Sequence, residues 1–362
     1  MRILFLNQYS PPDPAPTGIL LRELADHLVD QGHEARFVSS RQDYRAAKKN
    51  QRRVIRELRA LWEIFRQGMK APRPDVVISA TSPPLLVVIA ALVALRHRAR
   101  HAHWLFDMYP ELAIALGEIP RGGVARFFET ITRWAYRRTD LVVELDADMA
   151  KRLRSYGVHA EIIPPWVFAA LLAQLQAPVA DSAQSRTWLY SGNLGRAHEW
   201  ETLLEAQSIL EKRGSPWRLV FQGGGPSWAP AQARAKELGL QNCEWKTYVP
   251  ESELRDSLLR AEVLAVTQRP ETQGLLWPSK LGLISSLPRR ILWVGPAEGA
   301  IAQELRAYPH AGVFPPGKAD EIASWIEAAP SVSFQPRDAL AARDGALKKW
   351  AGALSGLCSR GS

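Results

Sequence analysis

The amino-acid sequence predicts an α/β protein made of two consecutive doubly wound domains, each a parallel sheet covered on both faces. Short apolar runs of strand length alternate with segments that are apolar at helical spacing, the pattern of strand–helix–strand crossovers. The alternation breaks at the proline-bearing Ile162-Ile163-Pro164-Pro165-Trp166 and then starts afresh. A chain of 362 residues is too long for one typical domain and comfortable for two.

Residues 3–7 read as the first strand. Residues 17–31 follow as a helix through Leu20, Leu24 and Leu28, stopped by Gly32, and 35–39 is the next strand. Residues 52–70 repeat Val54, Ile55, Leu58, Leu61, Trp62 and Phe65 on one helical stripe, with arginines elsewhere around the helix. That stripe suits either a sheet-covering helix or one lying on an anionic membrane surface. Strand 76–80, helix 84–96, strand 103–107, helix 124–138 and strand 141–145 complete the first half. Asp146-Ala147-Asp148 opens a short helix, where acidic residues suit the dipole better than a metal role. Residues 169–185 read as a linker. The second half offers strands at 188–191, 217–222, 263–267 and 291–295. Its helices are expected at 200–213, 231–238, 280–286 and 301–307, and a last one at 337–357. The division is therefore 1–168, a linker at 169–185, a second domain at 186–335 and a terminal helix within 336–362.

Bulk properties narrow the function. The hydrophobic fraction of 46% fits a globular chain. Only Cys243 and Cys358 occur, so neither a disulfide framework nor a zinc spacing is present, which suits a reducing cytoplasm. The longest apolar run, 85–95, is too short to span a bilayer. Net charge is +9, with Arg41, Arg45, Lys48, Lys49 and Arg52 clustered early and Arg126, Arg133, Arg137 and Arg138 later. No nucleic-acid motif accompanies this charge, which points to lipid or phosphate and to no nucleic-acid partner. His97, His101 and His103 alternate with arginines without a carboxylate or cysteine to complete a metal site, and read as a solvated basic turn. Neither glycine-rich turn has the Gly-x-Gly-x-x-Gly spacing of a nicotinamide dehydrogenase.

Three motifs carry chemistry. Gly192-Asn193-Leu194-Gly195-Arg196-Ala197-His198 follows an apolar strand and precedes a helix, so backbone N–H groups and a positive helix end are offered to an anion. Pro278-Ser279-Lys280 reads as a helix opening with a cation at its start, and Asp107-Met108-Tyr109-Pro110-Glu111 places a carboxylate after a strand. Together they resemble the GT-B glycosyltransferases of family 4, most nearly the branch that builds bacterial O-antigen, capsule and exopolysaccharide. The resemblance covers nearly the whole chain. It implies the GT-B fold, two Rossmann-like domains facing across a cleft, with the terminal helix returning to the first.

What the resemblance implies for residues is specific. Catalysis is expected from Asp107, positioning an acceptor hydroxyl, and from Arg196 and Lys280, holding the diphosphate. Gly18, Gly192, Asn193, His198, Gly224, Tyr248 and Ser279 are expected around the donor, with His198 partly charged near neutrality. Tyr9, Thr17 and Glu111 are expected toward the acceptor, Thr17 also as a helix N-cap. Two glutamates that mark the broad family are replaced by Gly274 and Gly282. The implied reaction is retaining transfer of a hexosyl or N-acetylhexosaminyl group from a UDP- or GDP-sugar to a lipid-diphosphate glycan, without a metal or other cofactor. It would take place in the cytoplasm, peripherally on the inner face of the cell membrane. The missing glutamates also admit a non-catalytic GT-B protein that binds a nucleotide sugar or glycan and scaffolds a partner.

Overall fold

A computed structural model of the chain describes residues 1–13, 15–40, 53–176, 186–328 and 333–359. The early basic cluster from Arg41 to Arg52 lies outside them. The chain forms two units. The first holds Met1–Phe168, Gly274–Trp277 and Arg343–Ser362; the second holds Ala169–Gln273 and Pro278–Ala342.

The first unit runs β1 (Arg2–Leu6), α1 (Pro16–Asp30), β2 (Glu34–Val38), α2 (Arg53–Lys70), β3 (Val76–Ser79), α3 (Leu86–His97), β4 (Arg100–Trp104), α4 (Glu111–Ala115), α5 (Gly123–Arg137), β5 (Leu141–Glu144), α6 (Ala147–Arg154) and β6 (Ala160–Ile162). Its sheet has the order β2-β1-β3-β4-β5-β6, every pair parallel. β1 is apolar throughout its buried length, and β3 is apolar up to the buried Ser79, because both faces of these strands are covered. The order reverses between β1 and β3, so the carboxyl ends of these two strands form the unit's switch point. Asp146 caps α6, its Oδ1 accepting from Met149 N–H at 2.8 Å.

The second unit begins with α7 (Ala169–Leu175), where the sequence suggested a linker. Ala169-Ala170-Leu171-Leu172-Ala173-Gln174-Leu175 is rich in helix formers and buries Leu171 and Leu172. The rest of the expected linker, 177–185, falls outside the described residues. Next come β7 (Thr187–Asn193), α8 (Glu201–Lys212), β8 (Arg218–Gly224), α9 (Trp228–Glu237), β9 (Cys243–Lys246), α10 (Glu251–Leu259), β10 (Val263–Thr267), α11 (Leu281–Ser285), β11 (Arg290–Val294), α12 (Ala300–Leu305), β12 (Ala311–Phe314) and α13 (Ala319–Glu327). The sheet order β12-β11-β10-β7-β8-β9 is the dinucleotide-fold arrangement 6-5-4-1-2-3, with its switch point between β7 and β10. Trp188, Tyr190, Leu203, Phe221 and Ile322 anchor one core cluster. The last helix, α14 (Ala339–Ser359), carries Arg343, which pairs with Glu23 at 3.2 Å, and Trp350, which packs edge-on against Trp104.

Two readings change with the structure in hand. The histidines do not form a solvated turn: His97, His101 and His103 are all buried. β4 starts at Arg100, so His101 and His103 alternate within a covered strand and share Ser79 Oγ at 3.0 and 2.8 Å. His97 Nε2 reaches Gly68 O at 2.9 Å. Burial pushes His101 down to about 4 and His103 well below its ordinary range. Unfolded chains therefore bind these protons first as pH falls. Stability from these neutral rings is complete above the ordinary 6.5 and is lost as pH drops toward about 4. For His101 alone the loss is on the order of 2–3 kcal/mol. Urea midpoints at pH 7.5 and 4.5 should show it, and a His101→Gln variant should show a shallower pH dependence.

The second change concerns α2. Its buried side is Ala60, Ile64 and Gly68, while Val54, Ile55, Leu58 and Trp62 are 58–68% exposed. A Cβ on Gly68 would lie 2.9 Å from Val93 Cγ2, so α2 sits down on α3 through its smallest residues. Four of the six stripe residues therefore face outward, while Leu61 packs against the core beside Ile64 and Phe65 is half-buried.

Candidate functional site

In the second unit the turns after β7 and β8 are interlocked through glycine. Gly223 has φ +139°, and a Cβ there would stand 2.1 Å from Gly192 O. Gly225, at φ +133°, would place a Cβ 2.6 Å from Asn193 Oδ1. Leu194 N–H donates to Gly224 O and Ser227 N–H to Leu194 O, at 2.6 and 3.0 Å. Only residues without a side chain let the two strand ends approach this closely.

The turn is also tied to β10. His198 Nδ1 lies 2.9 Å from Thr267 O and donates to it, which fixes the neutral tautomer and leaves Nε2 as an acceptor. Lys280 arrives from the segment before α11, its Nζ 3.4 Å from the centre of the Tyr190 ring. A Cβ at Gly192 would make ordinary contact with that Nζ at 3.5 Å; the φ of +126° is what calls for glycine there. Lys280 Nζ is buried and has no hydrogen-bond partner, and Thr267 Oγ1 is likewise buried and unpartnered. A tyrosine face compensates a cation only in part. Burial lowers Lys280 well below its usual range. Burial and then the neighbouring Lys280 charge push His198 down to about 3. His198 is thus neutral near pH 7, not partly charged as its sequence context suggested. An unpartnered buried nitrogen and a neutral imidazole thus lie together at the switch point, where α/β sheets bind ligands.

The other residues expected at the donor are distributed unevenly. Gly224 would bring a Cβ 3.2 Å from Tyr248 Cε2, so these two are neighbours, and Tyr248 is exposed. Arg196 and Asn193 are exposed on the β7 turn. Ser279 is exposed and caps nothing: α11 starts at Leu281, spans five residues and has Lys280 at its N-cap. The helix expected to bind phosphate at its start is therefore too short for much dipole, and what Lys280 brings there is its own nitrogen. Tyr190 and Thr267 are not marked by the sequence, each lying inside an apolar strand where only its hydroxyl hints at a role.

In the first unit the switch point is cross-linked. Gln8 N–H donates to Ser82 O at 2.7 Å and Ser82 Oγ to Gln8 Oε1 at 2.9 Å. Tyr9 is buried in the β1 turn, and Gly18 lets that turn close over α1, since a Cβ there would lie 2.9 Å from Tyr9 O. Thr17 is not the N-cap. Pro16 begins α1, Ala15 precedes it, and Thr17 Oγ1 accepts from Asn7 Nδ2 at 3.3 Å. A proline tolerates the first helical position because its missing N–H has no helical partner to lose. Thr81 Oγ1 accepts from Phe106 N–H at 2.8 Å and Asp107 N–H at 3.4 Å, which brings the Asp107 loop to the β3 turn. Asp107 also bridges to Leu276, and Met108 N–H donates to Leu275 O at 2.8 Å. It is not a helix cap, because α4 starts beyond Pro110 without a side-chain cap. Glu111 is set apart: Tyr156 Oη donates to its Oε1 at 2.5 Å, and burial raises its pKa.

Comparison with known proteins now bears on this geometry. The sequence profile of Glycosyltransferase Family 4 matches residues 17–170, and that of Glycosyl transferases group 1 matches residues 176–276. The chain belongs to glycosyltransferase family 4, on the GT-B fold. It is similar to the probable glycosyltransferase WbjE of Pseudomonas aeruginosa, 22% identical over 273 residues, which is 69% of this chain and 66% of that one. It is also similar to the putative colanic acid biosynthesis glycosyl transferase WcaI of Escherichia coli (strain K12), 23% identical over 66% of this chain and 61% of that one. The chain thus aligns with somewhat under two thirds of the length of these curated relatives. Among solved structures, the apo lipopolysaccharide outer core galactosyltransferase WaaB superposes with a TM-score of 0.65 at 14% identity, covering 98% of this chain and 99% of that one. HepE of Anabaena, in complex with UDP-glucose, gives a TM-score of 0.60 at 14% identity over 90% and 88%.

Against the family pattern, the glycine at 274 has a physical reason. Gly274 has φ +66°, and a Cβ there would lie 2.9 Å from the Asp148 backbone and 3.0 Å from Arg152 Nε. This family 4 chain has filled the space a glutamate side chain would need at that position.

Proposed function

We propose that this protein is a retaining glycosyltransferase of bacterial surface-polysaccharide synthesis. It moves a hexosyl or N-acetylhexosaminyl group from a UDP- or GDP-sugar to a lipid-diphosphate-linked glycan. The single observation that carries the donor half is the buried Lys280 nitrogen, unpartnered at the switch point of the second unit. UDP and UDP-glucose held by the structurally similar HepE support the donor class. Colanic acid biosynthesis in the name of the relative WcaI supports the pathway class.

In this reading the donor diphosphate lies against Lys280 and the exposed Arg196, and His198 Nε2 joins the grip only on taking up a proton as the anion arrives; Asn193, Gly192, Gly224, Ser279 and Tyr248 shape the remainder. The bond from the anomeric carbon to the diphosphate oxygen breaks, and the acceptor oxygen bonds to that carbon on the same face. The acceptor proton passes to the departing phosphate oxygen. Positive groups that meet the diphosphate as its charge grows lower the barrier, and no metal is required for that role. Asp107 orients the acceptor hydroxyl, with the Tyr9 and Thr17 turn beside it. Gly18 serves by closing that turn. Glu111, set apart and bonded to Tyr156, serves the acceptor side only indirectly. The acceptor's lipid places the work on the inner face of the cell membrane.

Incubation with radiolabelled UDP- and GDP-sugars and a membrane-lipid extract tests the reading. Label is expected in the lipid fraction, with the donor's anomeric configuration kept by NMR. Nucleotide-sugar binding with no transfer to any acceptor would instead favour the scaffold role that the absent glutamates suggest.

Binding should also move protons. An anion beside Lys280 and His198 favours their charged forms, so both pKa values rise when the diphosphate arrives. Titration calorimetry of UDP at pH 7.5 in buffers of different ionisation enthalpy should reveal net proton uptake. A His198→Asn variant should take up fewer protons.

A further inference from the structure

Eight of the thirteen exposed large apolar side chains among the described residues lie on α2, α3 and α5. The crossovers β2→β3, β3→β4 and β4→β5 all step the same way along the sheet, so right-handedness sets these helices on one face. α2 packs on α3 and α3 on α5. On α2 the exposed residues are Val54, Ile55, Leu58 and Trp62; on α5, Val124 and Phe127 are 66% and 60% exposed. Both helices thus turn an apolar stripe away from the core, a concentration that isolated surface apolar residues do not show.

Charge identifies the occupant. Arg59, Arg66 and Lys70 are exposed along one shoulder of the α2 stripe, and Arg126, Arg137 and Arg138 are exposed on or directly after α5. Of the three acidic residues on these helices, Glu63 pairs with Arg59 at 3.2 Å and Glu129 with Arg133 at 3.9 Å, and Glu57 is the third. Apolar side chains flanked by arginines match an anionic bilayer, where rings and aliphatic chains enter the interface and guanidinium groups meet phosphate. No helix among the described residues is long and apolar enough to cross a membrane. We propose that the α2–α3–α5 face of the first unit docks this protein, in the plane of the interface, on anionic phospholipid. This deepens the lipid-acceptor reading by naming the surface that meets the lipid, and it rests on that reading only for its purpose.

Co-sedimentation tests it, using the full chain with vesicles of phosphatidylcholine alone or mixed with phosphatidylglycerol. The wild type is expected to sediment with the mixed vesicles and to be released by salt. A Leu58→Ser/Trp62→Ser variant should lose binding at least ~tenfold, and Arg59→Gln/Arg66→Gln should lose the preference for anionic lipid. Both pairs are exposed, so melting temperature and UDP binding should stay at wild-type values. Absence of wild-type sedimentation, or equal sedimentation of the serine variant, would overturn the proposal. So would self-association of the wild type by light scattering that the serine pair abolishes, because the face would then serve a second copy. UDP binding without vesicle binding faults this surface alone; vesicle binding without UDP binding faults the donor reading alone.

Discussion

Replacing Lys280 by methionine is expected to make the protein more stable and nearly inactive. The wild-type nitrogen is buried without an acceptor, stacked on Tyr190, and burial holds its pKa well below the ordinary range. Methionine has a similar length and no polar atom to desolvate, so folding should improve by about 1–2 kcal/mol. Transfer should fall by about 10²–10³, the usual size for losing a group that stabilises departing charge. A thermal melt without ligand and a donor-saturated rate measure the two effects on one sample. Such opposition between stability and activity marks a residue retained for its ligand. A structural lysine would lose stability when replaced and leave the rate largely unchanged.

The second large effect belongs to the glycine interlock. Gly223→Ala should destabilise the second unit by about 3 kcal/mol or more, since a new Cβ 2.1 Å from Gly192 O forces the β7 and β8 turns apart. The same turns carry Gly192, Asn193 and the loop to His198, so UDP affinity should fall with stability. Gly32→Ala is the control: φ is +83°, yet nothing lies within 4 Å of a Cβ there. Only the left-handed backbone penalty applies, about 1 kcal/mol. Urea denaturation of both variants separates collision from conformational strain.

Much of this architecture is legible in the sequence because strands buried on both faces are continuous apolar runs. Val263-Leu264-Ala265-Val266-Thr267 and Val76-Val77-Ile78 need no tertiary context to be recognised. Edge strands are harder to read. Ala160–Ile162 and Cys243–Lys246 are short, partly exposed and mixed in polarity, so periodicity does not mark them. The glycine-rich motif after β7 showed where an anion belongs. What it could not show is protonation, because Lys280 meets Tyr190 and His198 meets Thr267, partners 90 and 69 residues away in sequence. The stripe on α2 was visible too, but its direction was not. Gly68 decided it, by letting the opposite side of the helix settle on Val93. Likewise His101 and His103 resemble a basic surface tract until β4 is seen to start at Arg100.

The most direct test of the donor site is titration calorimetry of UDP and GDP against wild type and Lys280→Met. If the orphaned nitrogen awaits a diphosphate, one nucleotide should bind the wild type and bind the variant about 100-fold more weakly, close to 2.7 kcal/mol of affinity. Equal affinity in the two proteins, with the variant folded, would contradict the account, because the buried lysine would then serve something other than the donor.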